Sequence, residues 1–190
     1  MEEGRTRFWT TANVITLLRI LAVPILVLAL VRHAGRTAFW VFAAAGCTDF
    51  LDGMAARVWH QKSKLGILID PIADKILMTA SFIALSLPAI GGPNIIPFWL
   101  TGLVIGRDVA ISAGALIVVK KLGPRPFLPS LWGKISTILQ MGCISLVLFL
   151  NMLGVKTPLL LGIYVLTFAA TLVSAIHYFA ARFLPWMTKR

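Results

Sequence analysis

Charge is scarce in this chain, and negative charge scarcer still. Only 13% of the 190 residues are charged, seven of them acidic against eighteen basic, and 58% are hydrophobic. That balance excludes an ordinary soluble domain. Cysteine is nearly absent: Cys47 and Cys143 fall in separate apolar stretches, which excludes a disulfide framework or zinc-ligand spacing and leaves both as small packing residues. The three histidines, His33, His60 and His177, are dispersed. His60 is placed to touch a nucleotide or lipid, and His177 reads as a structural residue in its span. No low-complexity tract or strong internal repeat occurs, and Glu2 and Glu3 ahead of a full-length apolar run argue against a cleavable signal.

What the chain does have is long apolar runs. Six stretches of about 20 residues, near 13–31, 37–57, 70–90, 96–119, 132–153 and 158–181, predict an all-α, polytopic integral membrane protein with six transmembrane helices. The organisation expected is a cytoplasmic interfacial segment over 1–12, a six-helix domain over 13–181 and a basic cytoplasmic tail over 182–190. Arg5, Arg7, Phe8 and Trp9 mix basic and aromatic character as interfacial segments do. With the N-terminus inside, eleven basic residues lie in cytoplasmic segments and three (Arg32, Arg36, Lys156) outside. This asymmetry places both termini in the cytoplasm, and it reads the net charge of +11 as a topology and anionic-lipid signal rather than a nucleic-acid surface.

Against that apolar background, five aspartates stand out. Four follow one spacing: Asp49-x-x-Asp52-Gly53-x-x-Ala56-Arg57, eight residues, then Gly66-x-x-x-Asp70-x-x-x-Asp74. A carboxylate near the centre of a bilayer helix costs roughly 2.5–3.5 kcal/mol, so four unpaired ones would cost about 10 kcal/mol. Residues three or four apart share a helix face, so Asp49 and Asp52 project from one side of the second span and Asp70 and Asp74 from one side of the third. Counted from Arg57, Asp52 and Asp49 lie roughly 8 and 12 Å up the second span; counted from Gly66, Asp70 and Asp74 lie roughly 6 and 12 Å up the third. The depths match, which predicts adjoining faces and one converging site near the cytoplasmic surface. Pro71 implies either that the third helix begins there with Asp70 as its cap or that it is kinked there. Oxygen ligands without sulfur or imidazole favour Mg2+ or Mn2+, and magnesium sites are commonly completed by substrate phosphates.

The complete pattern D-x-x-D-G-x-x-A-R-x8-G-x-x-x-D-x-x-x-D resembles the signature of the CDP-alcohol phosphatidyltransferase family. Asn13-Val14-Ile15-Thr16-Leu17-Leu18-Arg19 looks like the family's first-span pattern, with Ala12 where proline is usual. Gly106-Arg107-Asp108 and Gly133-Lys134-x-x-Thr137-x-x-Gln140 are similar to the phosphatidylglycerolphosphate synthase and cardiolipin synthase branch. The resemblance implies transfer of a phosphatidyl group from CDP-diacylglycerol to an alcohol with release of CMP. It implies a metal held by Asp49, Asp52, Asp70 and Asp74, with Asp74 also the base toward the incoming hydroxyl. Asp52, Gly53, Ala56, Arg57 and Gly66 would frame the CDP moiety, and a homodimer in the bacterial inner membrane is expected.

Four cations, Arg19, Lys75, Arg107 and Lys134, lie within or at the ends of spans. Charge balance or snorkelling accounts for some of them. Arg19, Arg107 and Lys134 are the candidates for binding an acceptor phosphate, with glycerol 3-phosphate the leading acceptor and phosphatidylglycerol, giving cardiolipin, the alternative. Arg107 and Asp108, being adjacent on a helix, are expected to point in different directions. A cation transporter is the non-enzymatic alternative, but carboxylates at one end of the spans and the lack of a repeat fit it less well.

Overall fold

A computed structural model describes residues 11–59, 64–122 and 130–182, with side chains over 17–48, 72–114 and 130–180. Its described residues form six helices: α1 Thr11–Val31, α2 Gly35–Trp59, α3 Lys64–Ser86, α4 Phe98–Leu122, α5 Leu131–Leu153 and α6 Leu160–Arg182. The apolar runs therefore mark the helices to within a few residues, except that α3 starts earlier and ends earlier than 70–90. Pro71 lies inside α3, so Asp70 is not a helix cap. Asp49 through Arg57 and Gly66 through Asp74 are continuous helix, the local geometry that three- and four-residue spacing needs.

The helices pack in a ring whose order is α1, α2, α5, α6, α4, α3, closed by α3 on α1. Among the described residues α2 and α3 both pack on α1 rather than on each other. The side chains of Asp49, Asp52 and Asp70, on which the expectation of adjoining faces rests, lie outside the described residues. Leu26, Phe42, Leu77, Phe82, Leu100, Ile144 and Leu148 fill the middle of the ring.

The outer surface is the reverse of a soluble protein's. Leu21, Ile25, Trp40, Val109, Ile138, Leu161, Val165 and Ile176 are all exposed. So wide an apolar exterior marks a surface made for lipid or partner. α5 and the stretch Leu160–Ala180 of α6 are long and apolar enough to cross a membrane, with mean hydropathy 1.8 and 1.9; Leu17–Val31 is apolar but shorter. At 1.5 Å per residue a 23-residue helix spans about 34 Å, enough for the hydrocarbon core.

Helix ends follow local chemistry. Ser130 caps α5, its Oγ accepting from the Gly133 amide at 3.1 Å. α5 closes on Gly154 in the left-handed region (φ 67°), with Val155 N–H donating back to Leu150 O at 3.0 Å. α1 closes the same way on His33 (φ 55°), with Ala34 N–H reaching Ala29 O at 2.8 Å.

The α3–α4 and α5–α6 connections are clasped by two amide side chains. Asn151 Oδ1 accepts from Asn94 N (2.8 Å) and Asn94 Nδ2 (2.9 Å), while Asn151 Nδ2 donates to Gly91 O (2.7 Å) and Asn94 O (3.0 Å). Asn94 Nδ2 donates onward to Val155 O at 2.7 Å. A turn without regular structure must satisfy its backbone groups somehow, and here one asparagine does much of it.

Candidate active site

The signature divides between two helices, with Asp49, Asp52, Gly53, Ala56 and Arg57 on the last turns of α2 and Gly66, Asp70 and Asp74 on the first half of α3. The side chains of all of these except Asp74 lie outside the described residues. Asp74 is held from α1: Arg19 Nη1 lies 2.5 Å from Asp74 Oδ1. The arginine side chain is 2% exposed and the carboxylate 38%. An arginine so deep in an apolar helix is tolerable only with a counter-charge, and Asp74 supplies it. Arg19, expected as an acceptor contact, is thus bound to the proposed base.

The donor set fits a hard divalent cation, being four carboxylates carried at helical spacing with one of them partly exposed. Among the described side chains no three ligating groups gather, as Asp74 is the only member of the signature described.

A second polar cluster joins α4, α5 and α6. Arg107 donates from Nη1 to Asp108 Oδ1 at 2.6 Å and from Nη2 to Ser174 Oγ on α6 at 2.7 Å. This corrects the expectation that Arg107 and Asp108 diverge. Neighbouring Cβ atoms do splay on a helix, but the arginine stem is long enough to bring its head back to the next side chain. The Arg107 side chain is only 10% exposed, and its Nε has no hydrogen-bond partner. Gly133, in the first turn of α5, faces this group: a Cβ there would stand 3.4 Å from Arg107 Nη2 and 3.9 Å from Ser174 Oγ. Lys134 is exposed beside it. Ser174 and Asp108 had no role from sequence, although an aspartate and a serine inside apolar spans are the available signal.

Other expectations resolve individually. Lys75 donates to Ser112 Oγ on α4 at 2.8 Å and so ties α3 to α4. Gln140 bridges helices, its Nε2 donating to Ser136 Oγ and Thr171 Oγ1, both at 3.1 Å. Cys143 is buried as expected; Cys47 is exposed and lines a cleft of about 470 Å³ between α2 and α5, with Phe39, Phe42, Gly46, Met141 and Ser145. The cleft is apolar and ends within one helical turn of Asp49. His177 is exposed. His60 lies outside the described residues.

Known proteins resemble this chain along most of its length. A model of the CDP-alcohol phosphatidyltransferase family matches residues 9–183. A probable phosphatidylglycerophosphate synthase of Mycobacterium tuberculosis is 34% identical over 180 residues, covering 91% of this chain and 80% of that protein. A cardiolipin synthase (CMP-forming) of Rattus norvegicus is 39% identical over 119 residues, 62% of this chain and 38% of that protein. A CDP-diacylglycerol--glycerol-3-phosphate 3-phosphatidyltransferase of Cereibacter sphaeroides is 38% identical over 111 residues, 55% of this chain and 48% of that protein. With an intact aspartate signature on two helices and a family match along nearly its whole length, the chain belongs to the CDP-alcohol phosphatidyltransferase family, enzymes of phospholipid synthesis.

Proposed function

We propose that this enzyme transfers the phosphatidyl group of CDP-diacylglycerol to glycerol 3-phosphate, releasing CMP, from six membrane spans with the active site at the cytoplasmic face of an inner membrane. The observation that carries the acceptor assignment is Arg107 of α4, a cation nine-tenths buried against Gly133 in the first turn of α5, with its Nε unpartnered. A small phosphorylated alcohol suits such a group. The relative matched over 91% of the chain bears the corresponding name.

Asp49, Asp52, Asp70 and Asp74 would hold a divalent cation, Mg2+ or Mn2+. When bound, it would neutralise the diphosphate and the charge that builds on departing CMP. The remaining chemistry falls to side chains. Gly53, Ala56 and Gly66 leave room for the nucleotide, and Arg57 contacts a phosphate. Asp74 takes the proton of the acceptor hydroxyl as its oxygen attacks the phosphatidyl phosphorus; the new P–O bond forms as the bond to CMP breaks. Arg19 fixes the orientation of that carboxylate. The apolar cleft beside Asp49 suits an acyl chain of the donor lipid. A homodimer is expected by resemblance.

A second reading keeps the donor and changes the acceptor to phosphatidylglycerol, giving cardiolipin; the rat relative favours it. The deciding experiment incubates the purified enzyme with CDP-diacylglycerol, Mg2+ or Mn2+ and either acceptor, and identifies the product lipid. CMP release with phosphatidylglycerophosphate as product supports the first reading. Product only from phosphatidylglycerol supports the second, and no CMP with any alcohol defeats both.

A further inference from the structure

Asp108 is an acid within an apolar helix that the signature leaves without a task, and such residues are seldom idle. Its described partner is Arg107 Nη1, at 2.6 Å. Arg107 Nη2 is taken by Ser174 Oγ at 2.7 Å, from a different helix. A guanidinium is planar, so two bonds at separate nitrogens fix the plane and its rotation. Three of its five N–H donors are left, and of the nitrogens that bear them Nε is the one buried without a partner. Burying a donor unsatisfied is costly, which makes it a position that gains from an incoming acceptor atom.

The surroundings say what kind of atom that is. Gly133 sits against the guanidinium with no side chain of its own, so the first turn of α5 approaches closely. Lys134, next to Gly133 in sequence, carries a positive charge, and the N-terminal end of α5 adds partial positive charge. A phosphate oxyanion matches all three. Asp108 works against this in charge, because it offsets part of the arginine's attraction. Its geometric effect is the opposite: without it, a long side chain with several rotatable bonds would pay in ordering on every binding event.

We propose that Asp108 and Ser174 are positioning residues for acceptor recognition, clamping the Arg107 guanidinium from two helices so that its partnerless Nε–H is preset for an oxygen of the acceptor's phosphate. The proposal rests on the reading of Arg107 as an acceptor contact, and its test separates the two.

KM is measured for glycerol 3-phosphate and, separately, for phosphatidylglycerol in mixed micelles, alongside KM for CDP-diacylglycerol, in the full-length enzyme. Asp108→Ala and Ser174→Ala should each raise the acceptor KM about tenfold, the worth of one charge-assisted hydrogen bond, with donor KM unmoved and kcat changed less than about threefold. Asp108→Asn keeps an accepting oxygen and should recover to within about threefold of the parent. An unchanged or lowered acceptor KM in Asp108→Ala and Ser174→Ala, with Arg107→Ala still raising it, overturns the clamp and leaves the reading standing. An unchanged acceptor KM in Arg107→Ala removes the reading and the clamp together. Equal loss for both substrates with a lowered melting temperature in Asp108→Ala, Asp108→Asn and Ser174→Ala alike makes the cluster structural only, and also overturns the proposal.

Discussion

Arg19 of α1 and Asp74 of α3 meet at 2.5 Å, the arginine almost wholly buried and the aspartate more than a third exposed. The first helix is therefore joined to the last residue of the signature. Arg19→Ala removes the buried cation that faces the Asp74 carboxylate. Breaking a fully buried pair costs about 3–5 kcal/mol, and the partial exposure of Asp74 reduces that to roughly 1–3 kcal/mol. Thermal melting in detergent checks the stability term. CMP release should fall by more than stability explains, about a hundredfold in kcat, with Arg19→Lys intermediate. Full activity in Arg19→Ala would remove the pair from the site.

The signature acids should respond as a set. Asp49→Asn, Asp52→Asn, Asp70→Asn and Asp74→Asn are each expected to lower kcat by about a hundredfold or more, the usual size for losing a metal ligand or general base. Chelation should abolish CMP release, and added Mg2+ or Mn2+ should restore it. Turnover that survives chelation would contradict the metal assignment.

At the far end of the bundle, Asn151→Ala removes four hydrogen bonds at once. At about 0.5–1.5 kcal/mol each the loss is roughly 2–4 kcal/mol, allowing for water at an exposed turn. Faster hydrogen exchange over residues 87–97 is the expected signature, with both substrate KM values preserved.

Glycine substitutions should divide by space alone. A Cβ at Gly91 would stand 2.7 Å from Leu85 O, against backbone that cannot move aside, whereas one at Gly102 meets nothing within 4 Å. Gly91→Ala should destabilise by about 1–3 kcal/mol, and Gly102→Ala, in mid-helix, should be neutral or stabilising by up to about 1 kcal/mol. Paired melting curves decide it.

Gln140 belongs to the pattern similar to the phosphatidylglycerolphosphate and cardiolipin branch, and its side chain ties α5 to α6. Interhelical bonds inside membranes average about 0.6 kcal/mol, so Gln140→Leu should cost roughly 1 kcal/mol and leave kcat within about threefold. A collapse of activity in a variant that melts normally would place Gln140 in the site.

Much of this architecture was legible beforehand because hydrophobic length is a one-dimensional property. Six runs gave six helices, with α2 and α5 ending close to where the apolar pattern ends. The order of helices around the ring was not legible, since apolar helices carry little pattern to say which neighbour they choose. That α1 packs on both α2 and α3 is a tertiary outcome. The aspartates could be found from their cost in lipid and their spacing, but Arg19 meeting Asp74 depends on the register between two helices, which spacing within either one does not encode. Arg107 and Asp108 show a different limit: the direction of Cβ predicts where a short side chain goes, and a long one can double back.

The clasp between Asn94 and Asn151 also has a consequence for synthesis. Asn94 emerges from the ribosome while α5 does not yet exist, so the turn between α3 and α4 reaches its final hydrogen bonding only once Asn151 has been translated and delivered. A chain stopped before α5 would therefore lack the four Asn151 hydrogen bonds that close the turn between α3 and α4.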